Sequence, residues 1–265
     1  NSLSNYRPIS NLSFLSKLTE RVVKNRLLEH LHGNSLLNSF QSAYTTFHST
    51  ESVLLSLHDF ITRAICKQQV TCLCLLDLSA AFDTIDPSIL LDRLSSWFGI
   101  HGTALSWFHS YLSNRSFITS CGNSKSISCS LTCGVPQGSV LGPLLFSLYT
   151  TPLSSLLNST SVSHHLYADD TQLFLSFSPS VFSSSVNLLQ SSISQVSTWM
   201  SANLLSLNPS KTEFLIFGNS TQLSKLNSPT LHIDTNTVIQ PTNTARNLGI
   251  LFDSHLSFDK QISRL

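Results

Sequence analysis

The chain has 265 residues, carries 15 Lys and Arg against 14 Asp and Glu for a net charge of +1, and is only 11% charged, well under the roughly 25% usual for soluble domains. That length allows one large domain or two small ones, and the near-neutral balance excludes the global basic field that announces a nucleic-acid partner. No apolar run reaches the roughly 18 residues of a membrane span, and no signal peptide is visible. Six Cys are scattered without a Cys-x-x-Cys pair, which favours reduced core thiols over metal ligands or disulfides. An intracellular protein, nuclear or cytoplasmic and not secreted, is therefore expected. The single Met is Met200, and the chain reads as a piece of a longer polypeptide.

In chain order, Leu15, Leu18, Val22, Val23, Leu27 and Leu31 recur at helical spacing, with Glu20, Arg21, Lys24 and Arg26 between them. They predict an amphipathic helix closed near Gly33. A second helix follows Ser49-Thr50, with Leu54, Leu57, Ile61 and Ile65 as its stripe. The apolar run Val70 to Leu76 predicts a strand buried on both faces, and it ends at Asp77. Asp83 and Asp86 read as helix-start residues. Asp86 as N-cap and Pro87 in the first turn open a helix that ends by Gly99. Another helix carries Leu105, Phe108 and Leu112, and strands near 115–121 and 126–133 form a hairpin around Gly122-Asn123.

The Gly- and Pro-dense stretch from Cys133 to Pro143 predicts a tight loop, then an apolar helix to about Leu157. Strand-forming residues flank Tyr167-Ala168-Asp169-Asp170, which reads as a hairpin tip. Val186, Leu189, Ile193, Val196 and Met200 stripe a long helix. Asn208-Pro209-Ser210-Lys211 is a turn between short strands at Leu204–Leu207 and Thr212–Phe217. Strand-like pieces near 230–233, 237–240 and 246–252 follow, and Phe258 onward begins a helix.

Adjacent carboxylates repel and are costly to bury without a counter-charge. Asp169-Asp170 in an apolar context therefore suggests a bound cation, and oxygen donors suit Mg²⁺. The order of elements resembles a split βαβ plan with antiparallel strands and helices on one face. In that plan Asp77 sits beside the hairpin tip, so three carboxylates meet at one sheet edge.

With these residues placed, the sequence resembles the reverse transcriptase domain of LINE-type, non-LTR retrotransposons. The motifs come in the family's order over nearly the whole chain: Tyr6-Arg7-Pro8-Ile9, Gln41-Ser42-Ala43-Tyr44 with His48-Ser49-Thr50-Glu51, Leu76 to Asp83, Gly134 to Ser139, Tyr167 to Asp170, Asn208 to Glu213, and Asn247-Leu248-Gly249. The resemblance implies an α+β, right-hand polymerase fold: a palm with a split βαβ antiparallel sheet, helical fingers and a truncated thumb. It assigns 1–69 mainly to fingers, 70–217 mainly to palm with a fingers insertion, and 218–265 to the palm edge and the start of the thumb.

The implied activity is RNA-directed DNA polymerisation, a two-metal nucleotidyl transfer from dNTP to a primer 3′-hydroxyl. RNA template, DNA primer, dNTP and a retrotransposon ribonucleoprotein are the implied partners. Two Mg²⁺ would be held by Asp77, Asp169 and Asp170. Lys211 matches the lysine that protonates the leaving pyrophosphate. Arg7 matches the fingertip arginine on the triphosphate, Phe82 the residue that blocks a 2′-hydroxyl, and Gln137 with Gly138 the nucleotide-binding loop. His164 and His165 are expected in strand or core roles rather than in catalysis. The chain departs from the family at Ala43-Tyr44-Thr45, where Gly-Phe-Arg is usual, so an expected basic contact is missing. A second reading stays open: a catalytically incompetent remnant that keeps the fold and binds nucleic acid weakly at most.

Overall fold

The computed structural model describes residues 9–226, 229–233 and 237–264; Arg7 lies outside them. In chain order the elements are α1 (Phe14–Gly33), α2 (Thr50–Cys66), β1 (Val70–Leu76), α3 (Pro87–Ser96), α4 (Gly102–Leu112), β2 (Arg115–Phe117), β3 (Ser120–Cys121), β4 (Ser124–Lys125), β5 (Cys129–Leu131) and α5 (Gly142–Asn158). They continue with β6 (Ser163–Tyr167), β7 (Asp170–Phe177), α6 (Phe182–Ala202), β8 (Glu213–Phe217), α7 (Ser220–Leu223), β9 (Leu231–His232), β10 (Val238–Ile239), β11 (Thr244–Asn247), β12 (Ile250–Asp253) and α8 (Asp259–Ile262). The chain divides into two compact units. One comprises 1–38, 80–151 and 203–205; the other comprises 39–79, 152–202 and 206–265.

The second unit is built on a four-stranded antiparallel sheet in the order β6-β7-β1-β8. The central strand β1 is apolar and β-branched enough to be buried along nearly its whole length, as the sequence predicted. Leu73 on β1 and Leu215 and Phe217 on β8 join Leu54, Leu57 and Ile61 of α2 and Phe252 of β12 in one core cluster. Each such side chain contributes about 1.5–3 kcal/mol by leaving water. Strand alternation turns Cys72, Cys74 and Phe214 to the opposite face, where they are also buried. The expectation of core thiols thus holds for Cys72 and Cys74, whereas Cys66, Cys121 and Cys133 are exposed. The stripe of α6, Val186, Leu189, Ile193, Val196 and Met200, is buried throughout.

In the first unit, Asp86 caps α3 as predicted, accepting hydrogen bonds from Ser88 N and Ile89 N at 2.9 Å. Arg93 is buried here, donating to the Tyr149 carbonyl and to Asn203 Oδ1 and lying 4.5 Å above the Tyr149 ring. The predicted hairpin around Gly122 forms as two short ladders, β2 with β5 and β3 with β4.

Three expectations are corrected. Leu15, Leu18 and Val22 of α1 are exposed while Glu20 is buried. The Glu20 carboxylate is turned inward because it accepts from Val140 N at 2.6 Å and Leu141 N at 3.2 Å, just ahead of α5, where an anion meets the positive end of the helix. Leu204–Leu207 is not a strand: Leu204 has φ 55°, which breaks extension, and one bridge, Leu78 with Leu207, remains. The 246–252 piece is two strands, because Leu248 and Gly249 both take positive φ and fold β11 back onto β12 in a two-residue turn. Among the described residues, no helix is long and apolar enough to cross a membrane.

Candidate active site

In the sheet-bearing unit, the register brings the acids together. Leu76 pairs with Thr171 across β1 and β7, so Asp77, one residue on, stands opposite Asp170. Tyr167 pairs with Asp170 across the hairpin, which leaves Ala168 and Asp169 as its two-residue tip. Beyond β1, residues 77–79 run antiparallel to 206–208: Asn208 N donates to Asp77 O at 2.8 Å and Ser79 N to Ser206 O at 2.8 Å.

The Asn208–Lys211 turn is stiffened from within. Asn208 O accepts from Lys211 N, Thr212 N and Thr212 Oγ1, and Asn208 Oδ1 accepts from Ser210 Oγ. It holds Lys211 Nζ 3.2 Å from Asp77 Oδ2. That oxygen is buried and makes no hydrogen bond among the described residues; the ammonium compensates its charge from off the hydrogen-bond line. The Asp170 carboxyl is pushed up to about 6, first by burial and then by the negative charges of Asp169 and Asp77, with Lys211 opposing. Asp169 also acts on Tyr44, whose phenol is raised mainly by burial.

Asp77, Asp170 and Lys211 line a cavity of about 380 Å³ together with Gln172, Glu213, Arg246 and Asn247. The buried amides of Gln172 and Asn247 hydrogen-bond each other at 2.8 Å, and Glu213 Oε2 accepts from Arg246 N at 3.1 Å. These contacts tie β11 to the sheet.

Among the described residues, no group of three His, Cys, Asp or Glu side chains converges as a finished metal cage. Mg²⁺ does not need one, since it takes one or two carboxylates and fills its octahedron with phosphate and water oxygens. The donor set fits such an ion: hard oxygens, one of them buried without a hydrogen bond, and a carboxyl raised first by burial and then by its like-charged neighbours.

Of the other predicted residues, Phe82, Gln137 and Gly138 lie in the first unit. Phe82 is half-buried and stacks on the buried Phe146, ring centroids 4.9 Å apart. Val135 N donates to Phe82 O at 2.9 Å and Gly134 N to Ile85 O at 2.7 Å, so the Gly134–Gly138 loop is laced to the segment after Ala80. Gly134 is required by that contact: a Cβ there would meet Asp83 O at 2.8 Å. Gln137 donates from Nε2 to both Asp83 carboxylate oxygens, at 3.2 and 3.1 Å. Asp83 is therefore the partner of the loop glutamine and not a helix-start residue.

His164 is buried and stacked on Phe40 at 4.2 Å. Burial, then the neighbouring His165, pulls it down to about 4. His165 Nε2 lies 2.9 Å from Ser42 Oγ, which in turn lies 2.8 Å from His48 Nδ1. Gln41, not among the predicted site residues, grips the hairpin tip with its side-chain amide. The motif Gln41-Ser42-Ala43-Tyr44 marked the segment, but nothing in its residue types pointed to a contact 127 residues away.

Residues 1–252 match the family model for reverse transcriptase (RNA-dependent DNA polymerase). The chain is 32% identical over 262 residues to a probable RNA-directed DNA polymerase from transposon BS of Drosophila melanogaster, covering 97% of this chain and 28% of that protein. It is 26% identical over 268 residues to the RNA-directed DNA polymerase from mobile element jockey of Drosophila funebris, covering 99% and 28%. This chain therefore spans little more than a quarter of the length of these relatives. Among solved structures, apo telomerase from Candida tropicalis superposes with a TM-score of 0.61 at 13% identity, covering 91% of this chain and 40% of that one. The same enzyme in complex with a fragment of telomeric RNA gives 0.59 at 11%, covering 93% and 37%. These likenesses show an α+β fold of the right-hand polymerase kind.

Proposed function

Because the chain belongs to the reverse transcriptase (RNA-dependent DNA polymerase) family, we propose that it is the RNA-directed DNA polymerase domain of a non-LTR retrotransposon, extending a DNA primer with dNTP on an RNA template. One observation carries the reading: the β1–β7 register that sets Asp77 opposite Asp170 at the end of a buried strand. The polymerase names carry over as 1–69 mainly fingers, 70–217 mainly palm with a fingers insertion, and 218–265 palm edge and start of thumb. Reverse transcriptases generally use divalent metal ions.

In this reading the primer 3′-hydroxyl attacks the α-phosphate in line and pyrophosphate leaves. Two Mg²⁺, when bound, neutralise the attacking and leaving oxygens. Asp77, Asp169 and Asp170 would hold them. Lys211, on a stiff turn and 3.2 Å from Asp77, would give its Nζ proton to the leaving pyrophosphate oxygen, a general-acid role. Arg7 would clamp the triphosphate with its forked guanidinium. Gln137 and Gly138 would lie against the nucleotide, and the Phe82 ring would fill the space of a 2′-hydroxyl. An RNA template, a DNA primer and the element's own RNA in a ribonucleoprotein are the partners, and the nucleus or cytoplasm the place of action.

The test is primer extension on poly(rA)/oligo(dT) with dTTP and Mg²⁺. Incorporation by the wild-type chain that Asp169→Ala abolishes is the expected result. A wild-type chain that binds the duplex yet incorporates nothing over a titration of Mg²⁺ and Mn²⁺ would favour the inert-remnant reading.

A further inference from the structure

The tip of the β6–β7 hairpin holds an unfavourable backbone. Ala168 has φ 54°, while Asp169 is not among the positive-φ residues. A two-residue hairpin loop of that pattern wants Gly at its first central position. An L side chain there persists only where its surroundings over-determine it. Here one side chain meets both of its main-chain polar groups. Gln41 Oε1 accepts from Ala168 N at 3.0 Å, and Gln41 Nε2 donates to Ala168 O at 3.2 Å. Both backbone groups of the strained residue are held by one planar amide.

The amide is itself fixed. Gln41 is buried, and its Oε1 takes a second donor, Ala43 N, at 2.9 Å, which sets the orientation of the amide. Its backbone lies in a parallel bridge with Leu166, through Ser42 N to Leu166 O at 3.0 Å and Leu166 N to Phe40 O at 2.8 Å. The clamp is thus mounted on β6, the strand whose tip it shapes, and travels with it.

We infer that Gln41 is a positioning residue: it holds Ala168 in the left-handed region and so sets the direction in which Asp169 and Asp170 present their carboxylates. Without the clamp, Ala168 relaxes to negative φ, the turn changes type, and the next residue's side chain swings away. This rests on the polymerase reading for its catalytic consequence but not for its structural one. Positioning errors of about 1 Å cost on the order of a hundredfold in rate.

The experiment is a double-mutant cycle of Gln41→Ala and Ala168→Gly in this chain. Gly adopts positive φ without cost, so it removes the need for the clamp. In the wild-type background, Gln41→Ala lowers kcat for dTTP incorporation about thirtyfold with KM for dTTP moved less than about twofold. In the Ala168→Gly background, the same substitution lowers kcat less than about threefold. An equal loss in both backgrounds would mean that Gln41 acts by supporting residues 40–45 and would overturn the inference. Amide exchange gives a readout independent of activity: Gln41→Ala cuts protection of the Ala168 N–H by tenfold or more and leaves that of Leu173, mid-strand in β7, unchanged. An unchanged Ala168 amide would also overturn it. A wild-type chain without incorporation, but with the exchange pattern as expected, would sink the polymerase reading and leave the clamp standing.

Discussion

Two glycines of the 134–138 loop separate backbone strain from close approach, and Gly134→Ala is the sharper perturbation. Both have positive φ, +84° at Gly134 and +96° at Gly138, and an L side chain in the left-handed region costs roughly 1–2 kcal/mol. At Gly138 a new Cβ would find Ser10 O at 3.5 Å, an ordinary contact, so the φ cost is nearly the whole effect. At Gly134 it would meet Asp83 O at 2.8 Å and Asp83 Cα at 3.0 Å, main-chain atoms that cannot swing away. Relief must separate the two segments, straining the bonds from Gly134 N to Ile85 O and from Val135 N to Phe82 O, each worth about 1 kcal/mol net. The expected cost is about 3–4 kcal/mol for Gly134→Ala against about 1–2 for Gly138→Ala. Urea unfolding followed by tryptophan fluorescence measures it, since Trp97 and Trp107 lie in the same unit as the loop. Equal urea midpoints for the two variants would refute the claim that the Asp83 main chain fixes Gly134.

Three further outcomes are expected. Phe82→Ala should raise ribonucleotide incorporation relative to dNTP by about tenfold or more, read by primer extension with rUTP against dTTP; unchanged discrimination would remove Phe82 from sugar selection. Lys211→Ala should alter stability by less than about 1 kcal/mol, because its side chain is 56% exposed, yet slow incorporation at least about a hundredfold if it serves as general acid; a parallel fall in both would make it structural. His164 is neutral when folded, with its pKa near 4, whereas the unfolded chain protonates it below about 6.5. Between those values the unfolded state holds more protons, so stability falls as pH is lowered, by up to about 3 kcal/mol. His164→Phe should flatten that slope in urea titrations at pH 7 and pH 5, and an equal slope would show that His164 is not its source.

Much of the fold was legible because hydrophobic period and capping chemistry are local. Val70–Leu76 could be read as a buried strand because seven consecutive residues lacked a solvent face, and its limits match the observed β1. Asp86-Pro87 marked the start of α3 through two independent signals, an N-cap oxygen and a pre-set φ. The misreadings share a cause: the deciding partner is far away in sequence. Glu20 looks like a solvated residue between apolar positions, but it faces inward to cap a helix 120 residues later. Leu204 and Leu248 carry no residue-type mark of positive φ, so strands were expected to run on where the chain turns.

The site divides along the same line, and charge is what made half of it visible. Two adjacent carboxylates within an apolar run are expensive enough to stand out from any background of surface acids, and Asp77 stood out because a buried strand ended on it. Neutral amides give no such warning. Gln172 meets Asn247 across 75 residues, and Gln41 reaches Ala168 across 127. A glutamine is as cheap in water as in a satisfied site, so its residue type cannot distinguish the two. Ala168 hides its strain for the complementary reason: Gly would have advertised a left-handed turn, whereas Ala reads as filler. The acids can therefore be found by asking what is costly to bury. The groups that aim them emerge only once the register of β1, β6 and β7 fixes which main-chain atoms need a partner.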